Sequence, residues 1–454
     1  MPSQPQAASQ SADRTAERES LVGEEYEVEV GPVAHGGHCV ARTAEGRVLF
    51  VRHTLPGERV VAKVTEGGAG SRFLRADAVR VLDAAKDRVE APCPFSGPGR
   101  CGGCDWQHVA PGAQRRLKGE VVAEQLARLA GLTPEQAGWD GTVEPAPGDK
   151  VAKGEVPAWR TRVTYAVDDQ GRPGLRRHRS HEVEPVDRCL IAAPGVSELG
   201  VETRAWPDIA TVEAIAATGS SDRQVVLTPR PGGRLPLVEL DRPVSVLRVG
   251  ERDGRVHRVH GRPFVRERAA DRTWRVGEGG FWQVHHKAAD LLVEAVMRGL
   301  TPHKGDTALD LYCGVGLFAG ALGERVGERG AVLGIESDAR AADDARHNLR
   351  DLPRVRVEHG TVERVLPATG ITAADLVVLD PPRAGAGRET VARVAALGAR
   401  RIAYVACDPA ALARDLAYFR EGGYAPRWLR ALDLFPMTHH VECVAILAPV
   451  GKGS

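Results

Sequence analysis

The sequence predicts an α/β fold: a doubly wound, mixed but mainly parallel sheet in the carboxy-terminal half, behind a small amino-terminal β-barrel and a mixed α+β centre. Three observations predict it. From about residue 271 onward, short apolar runs alternate with helical patterns, as strands covered on both faces by helices do. Residues 22–84 hold short β runs broken by glycines, the spacing of a closed barrel of the OB type. Residues 85–270 combine one clear helix, several β runs and a Gly/Pro-rich loop with three cysteines.

Composition sets the outer bounds. The 454 residues suffice for about three domains. The formal net charge is +1, so any nucleic-acid contact must come from a local patch. No apolar run reaches the roughly 18 residues that span a bilayer, which argues against a membrane partner. The opening stretch MPSQPQAASQSADRTAERES lacks the apolar core of a signal peptide; residues 1–21 read as a disordered tail and the chain as cytoplasmic. Eight cysteines in such a length point to metal ligands or catalysts rather than a disulfide scaffold.

In order, Tyr26–Val30, His38–Arg42, Gly46–Val51, Glu58–Glu66 and Phe73–Val81 are the barrel strands. Such barrels often bind single-stranded nucleic acid; a generic β module is the alternative. Cys39 reads as a packed thiol. In APCPFSGPGRCGGCDWQHV, Cys93, Cys101 and Cys104 have C-x7-C-x2-C spacing. Cys189, in VDRCLIA, is the natural fourth ligand. Four thiolates suit zinc or an iron–sulfur cluster, and spacing alone leans to zinc. Leu117, Val121, Val122, Leu126 and Leu129 give a helix over Pro111–Gly131. A connector runs from Thr133 to Pro157. A hairpin then carries Arg160, Arg162, Arg172, Arg176, Arg177 and Arg179 with Trp159 and Tyr165; it either grips RNA or is a solvated β surface. Val225–Thr228, Val244–Val249 and Arg255–His260 complete the centre.

The carboxy-terminal half opens with FWQVHHKAADLLVEAVMRGL, an amphipathic helix behind Phe281 and Gln283. Strands follow at Thr307–Tyr312, Ala331–Glu336, Arg354–His359, Asp375–Asp380 and Arg401–Ala406, with helices at Ala339–Leu349 and Thr390–Leu397. Two longer β runs, Trp428–Leu434 and Val441–Pro449, close the sheet.

Chemistry concentrates here. In ALDLYCGVGLFAGALG, Gly314 and Gly316 let the backbone approach a ligand, and Glu336 ends the next strand, where an acid binds ribose hydroxyls. NAD and S-adenosylmethionine both fit. LDPPRAG decides for S-adenosylmethionine: a proline-stiffened loop with Asp380 at the carboxyl edge of the sheet suits a planar base held beside a methyl donor. Cys407 lies between a strand and a helix capped by Asp408, with Pro409 at the first helical position. The helix terminus is expected to lower its pKa, as befits a nucleophile; a buried structural cysteine is the alternative. His439 and His440, as neighbours on a strand, would point apart and make poor co-ligands.

Taken together, FWQV, DLYCGVGLF, Glu336, LDPPRAG, VACDPAALARDL and HHVECVA resemble the RNA 5-methyluridine methyltransferases. The barrel and the cysteine loop resemble those of the rRNA-modifying branch. The resemblance implies a class I (Rossmann-like) methyltransferase domain over residues 271–454, a TRAM domain as the barrel, and a [4Fe–4S] cluster on Cys93, Cys101, Cys104 and Cys189. It implies Cys407 as nucleophile, Glu442 as proton acceptor, Asp380 as orienter of the uracil and Arg383 as support. It implies S-adenosyl-L-methionine as cofactor, contacted by Gln283, Tyr312, Gly314, Gly316, Glu336 and Asp380. Leu317 and Thr361 lie where the family often carries Asn, so backbone or the Thr361 hydroxyl would replace those contacts. Cys313 and Cys443 are expected to pack. The expected activity is methyl transfer to C5 of a uridine in rRNA, by a monomer, through a covalent adduct between the cysteine and C6. The alternatives are a uridine of the tRNA T-loop, or an iron–sulfur RNA-binding or redox protein without methyl transfer.

Overall fold

The computed structural model describes residues 20–149, 155–236, 240, 242–251 and 254–451. The expected tail therefore lies outside the described residues up to residue 19. Among the described residues, no helix is long and apolar enough to cross a membrane.

The five strands Glu25–Val33, Cys39–Arg42, Val48–Arg52, Arg59–Glu66 and Phe73–Asp83 close into a barrel. Alternation puts Val28, Val30, Leu49, Val51, Leu74 and Ala76 inside. Cys39 is among them, a packed thiol as expected.

The helix Pro111–Gln125 joins barrel to sheet. Ala113, Leu117 and Val121 pack on the barrel core, whereas Val122 and Leu126 pack on the core under the carboxy-terminal sheet. Between these faces Lys118 is fully buried, and its Nζ donates to Asp433 Oδ1 at 2.5 Å and to the Phe435 carbonyl at 3.0 Å. Gly131 ends the run in the left-handed region at φ 61°. The connector that follows is not structureless: Val143–Pro145 pairs in parallel with Ala431–Asp433 and forms an edge of the carboxy-terminal sheet.

A seven-stranded sheet occupies the centre. Here the aromatics of the Arg-rich hairpin are buried and not free to stack on bases. Alternation turns Val163, Tyr165 and Val167 into the core, and Trp159 is buried as well. Tyr165 donates its hydroxyl proton to Glu202. Arg162 is buried against Glu267; Arg172 pairs with Asp168 and Arg177 with Glu182 and Glu184. The hairpin thus spends its aromatics and several of its cations on the fold. A second hairpin, Phe264–Ala269 with Arg272–Gly277, turns at Ala270–Asp271. Its Trp274 is buried in the core shared with Phe318 and Leu322.

The carboxy-terminal sheet has eight strands. Val355–His359, Ala331–Glu336, Thr307–Leu311, Leu376–Leu379 and Arg401–Ala406 run parallel in that spatial order. Glu442–Pro449 lies antiparallel to Arg401–Ala406, Tyr424–Asp433 lies antiparallel to Glu442–Pro449, and Val143–Pro145 is the edge. Helices Ala288–Leu300, Leu317–Val326, Ala339–Asn348, Gly387–Ala396 and Pro409–Glu421 accompany the strands, as expected; the short helix Val362–Ala368 was not anticipated.

Candidate active site

Register builds the centre of the site. Ala406 pairs with Cys443 across the antiparallel strands. One step outward, Cys407 and Glu442 therefore leave the sheet side by side. On the parallel side Leu311 pairs with Leu379, so Tyr312 and Asp380 emerge together at the same carboxyl edge, where open α/β sheets hold ligands.

Asp408 caps the following helix: its Oδ1 accepts from the Ala411 N–H at 2.8 Å, and Pro409 takes the first helical position. The expected lowering of the Cys407 pKa does not follow. Burial, then the negative charge of Glu442, push the thiol up to about 11, with Arg383 opposing. The Asp408 charge raises it further, so the cap offsets the helix terminus it occupies. Burial also holds the Glu442 carboxyl well above its ordinary range, reinforced by Asp380 and opposed by Arg383. Burial alone pushes Asp380 up to about 7. Cys443 and Cys313 are packed among apolar side chains, as expected.

The loop after Asp380 is anchored from the helix that follows Cys407. Asp415 Oδ2 accepts from the Ala386 N–H at 2.7 Å and from the Tyr404 hydroxyl at 2.6 Å. Arg383, Cys407 and Asp408 then line a cleft of about 200 Å³. Sequence reasoning missed the rest of its wall. His35, Gly36 and Gly37 reach it from the barrel, and His439 and His440 from the loop before the last strand. Because that loop is not a strand, the two histidines do not point apart: their ring centroids are 4.1 Å from each other. His439 Nδ1 lies 2.6 Å from Asp105 Oδ2, and burial pushes His440 down to about 3.

The expected donor half lies one strand over. Glu336 Oε2 accepts from the Gly314 N–H at 2.9 Å. Gly314 and Gly316 have φ of 53° and 94°, conformations that favour glycine. A side chain on Gly314 would meet no atom within 4 Å, so the turn leaves open room above a carboxylate, a fit for a nucleoside. Tyr312 is half-buried, and burial pushes its hydroxyl up to about 12. Gln283 is half-buried and Thr361 exposed at the start of its helix. Leu317 turns its side chain into the core, leaving its backbone alone for a ligand.

Cys93, Cys101, Cys104 and Cys189 lie within range of one another's charge. Four soft sulfur donors suit a thiophilic metal or cluster. Burial pushes Cys101 up to about 11, and the Gly103 N–H donates to its sulfur at 3.4 Å. Among the described residues, no three His, Cys, Asp or Glu side chains are gathered as metal ligands.

An exposed aromatic surface does exist, on the barrel. Phe73 is 40% exposed; its ring centroid lies 5.2 Å from that of Phe50, and the Arg75 guanidinium stands 5.4 Å from it.

Comparison with known proteins adds the following. The TRAM domain family matches residues 19–79, and the tRNA (uracil-5-)-methyltransferase family matches residues 370–450. An uncharacterized RNA methyltransferase of Streptomyces coelicolor is 77% identical over 442 residues, covering 97% of this chain and 96% of the relative. Another from Bifidobacterium longum is 35% identical over 434 residues, covering 92% and 96%. In fold, the chain is similar to the Pyrococcus abyssi tRNA (uracil-54, C5)-methyltransferase crystallised with S-adenosyl-L-homocysteine. The TM-score is 0.68 at 23% identity, covering 92% of this chain and 99% of that one.

Proposed function

The chain belongs to a family of RNA methyltransferases that join a TRAM domain to a uracil-5-methyltransferase domain, and from that premise we propose that it methylates C5 of a uridine in rRNA. The observation that carries this reading is the register that brings Cys407 and Glu442 out side by side.

C5 of uracil is a poor nucleophile. Addition of the Cys407 sulfur to C6 turns the ring into an enolate whose C5 can attack a methyl group. S-adenosylmethionine, when bound, supplies that methyl as an electrophile. Glu442 then takes the C5 proton, and the electron pair of that C–H bond restores the C5=C6 double bond as the C6–S bond breaks and the thiolate leaves. The ionised carboxylate is the accepting form, and burial, which raises its pKa, makes that form the stronger base. Asp380 orients the uracil edge, and the Arg383 charge supports the polarised carbonyl. Glu336 and the Gly314–Gly316 turn hold the donor, with Gln283, Tyr312, Asp380, Thr361 and the Leu317 backbone around it. The exposed Phe73 ring, edge-to-face with Phe50, suits an unpaired base.

The rRNA assignment rests on the cysteine loop. Cys93, Cys101, Cys104 and Cys189 would hold a [4Fe–4S] cluster, and the enzyme would act as a monomer. Iron and sulfide in equal amounts in anaerobically purified protein support the cluster; zinc in their place contradicts it. A tRNA uridine is the second reading, favoured by the description of the family that matches residues 370–450. Incubation with labelled S-adenosylmethionine and total RNA, followed by mass-spectrometric mapping, tests both. Label at C5 of an rRNA uridine is the expected result. Label confined to tRNA selects the second reading, and no label in RNA overturns both.

A further inference from the structure

One wall of the Cys407 cleft takes no part in the chemistry above. It comes from the barrel, through the turn at residues 34–37. Gly36 and Gly37 have φ of 99° and 81°, and a side chain on Gly37 would lie 2.7 Å from His439 Cβ, so the turn is wedged against the loop before Glu442. The buried Trp106 indole pins it by donating to the Gly37 carbonyl at 3.0 Å. At the tip, His35 Nε2 lies 3.0 Å from Asp408 Oδ2. The other oxygen of the same carboxylate caps the helix. Asp408 thus ties the residue next to Cys407 both to its own helix and to the barrel.

The groups facing His35 are Asp408, Glu124 and Arg128, with His38 on its own element. The bond to Asp408 holds its pKa above the ordinary value. A cationic His35 offsets the Asp408 charge, which otherwise adds to the groups opposing a Cys407 thiolate.

We propose that His35 is a positioning residue for methyl transfer: through Asp408 it fixes the turn that carries Cys407, and the barrel turn closes the cleft over the target ring. The inference rests on Cys407 being the nucleophile. It gives the barrel a second task besides gripping RNA, and the two tasks differ in kinetics. Loss of grip appears in KM. Loss of alignment appears in kcat, because small misplacements of reacting atoms cost large factors in rate.

The test uses the full-length protein with His35→Ala and His35→Gln. Alanine should lower kcat about tenfold or more with KM within about twofold. Glutamine keeps a donor without the charge and should recover most of that kcat. In free protein, both variants should raise the apparent Cys407 thiol pKa read from the pH profile of alkylation. Unchanged kcat in both variants, or a loss confined to KM, overturns the proposal. So does an alkylation profile identical to wild type. If alanine does not fold, glutamine still decides: a full loss of kcat in a folded glutamine variant contradicts positioning by the hydrogen bond. The parent reading is checked separately on wild type by adduct formation with 5-fluorouridine RNA, so its failure is distinguishable.

Discussion

The environment of Cys407 predicts a sluggish thiol in the RNA-free protein. With its pKa pushed up to about 11, the thiolate fraction near about pH 7.5 is about 3 in 10,000, against about one in ten for a free cysteine of pKa about 8.5. That is a deficit of about 300-fold. A more basic thiolate is intrinsically more nucleophilic, with a Brønsted slope of about 0.4–0.5. Over about 2.5 units this returns about tenfold. The net expectation is alkylation by iodoacetamide about thirtyfold slower than a small reference thiol, rising with pH to about pH 10 and beyond. Peptide-resolved mass spectrometry separates Cys407 from the other cysteines. Arg383→Ala should slow it further, because that cation opposes the upward shift. A plateau below about pH 9, or a neutral-pH rate matching the reference thiol, would refute the reasoning. It would mean that the helix terminus prevails over burial and the Glu442 charge.

Three further outcomes are expected. Burial pushes Asp380 up to about 7 from an ordinary 3.8; the folded state keeps a proton the unfolded chain gives up. The relative stabilisation is full below about pH 4 and lost as pH rises through about 7, leaving a penalty of at most about 4 kcal/mol at alkaline pH. Asp380→Asn should therefore be more stable than wild type in denaturant melts near about pH 8.5, with the gap closing near about pH 4; a pH-independent gap contradicts this. Lys118→Met strands the Asp433 carboxylate and should cost about 3–5 kcal/mol, while Lys118→Met with Asp433→Leu should recover most of it; equal losses in both would show that the pair is not the cause. Glu442→Gln should accumulate a denaturation-stable protein–RNA adduct on gels, because release needs a proton acceptor; turnover at the wild-type rate would remove Glu442 from that role.

The strand–helix alternation, the glycine turn and the capped helix after Cys407 were legible because periodicity, glycine and proline act locally. The proximity of Cys407 to Glu442 was not, since it depends on the register of two strands far apart in sequence. The family resemblance supplied the pairing; the register explains it. The two readings of the Arg-rich hairpin stayed open because composition does not say which way side chains point: Trp159 and Tyr165 are buried, while Phe73 and Phe281 are exposed. The Cys407 expectation counted the helix terminus alone, while the effects of burial and of Glu442 need three dimensions. The barrel wall at His35 had no local signal, because the partner that gives it meaning, Asp408, is 373 residues away.

The most direct test of the account is to incubate the protein and S-adenosylmethionine with RNA containing 5-fluorouridine, which has no C5 proton to lose, and to sequence any cross-linked peptide. The account predicts a methylated adduct joined through Cys407 and absent from Cys407→Ala. A wild-type protein that never links to this RNA, while methylating ordinary uridine at C5, would contradict it.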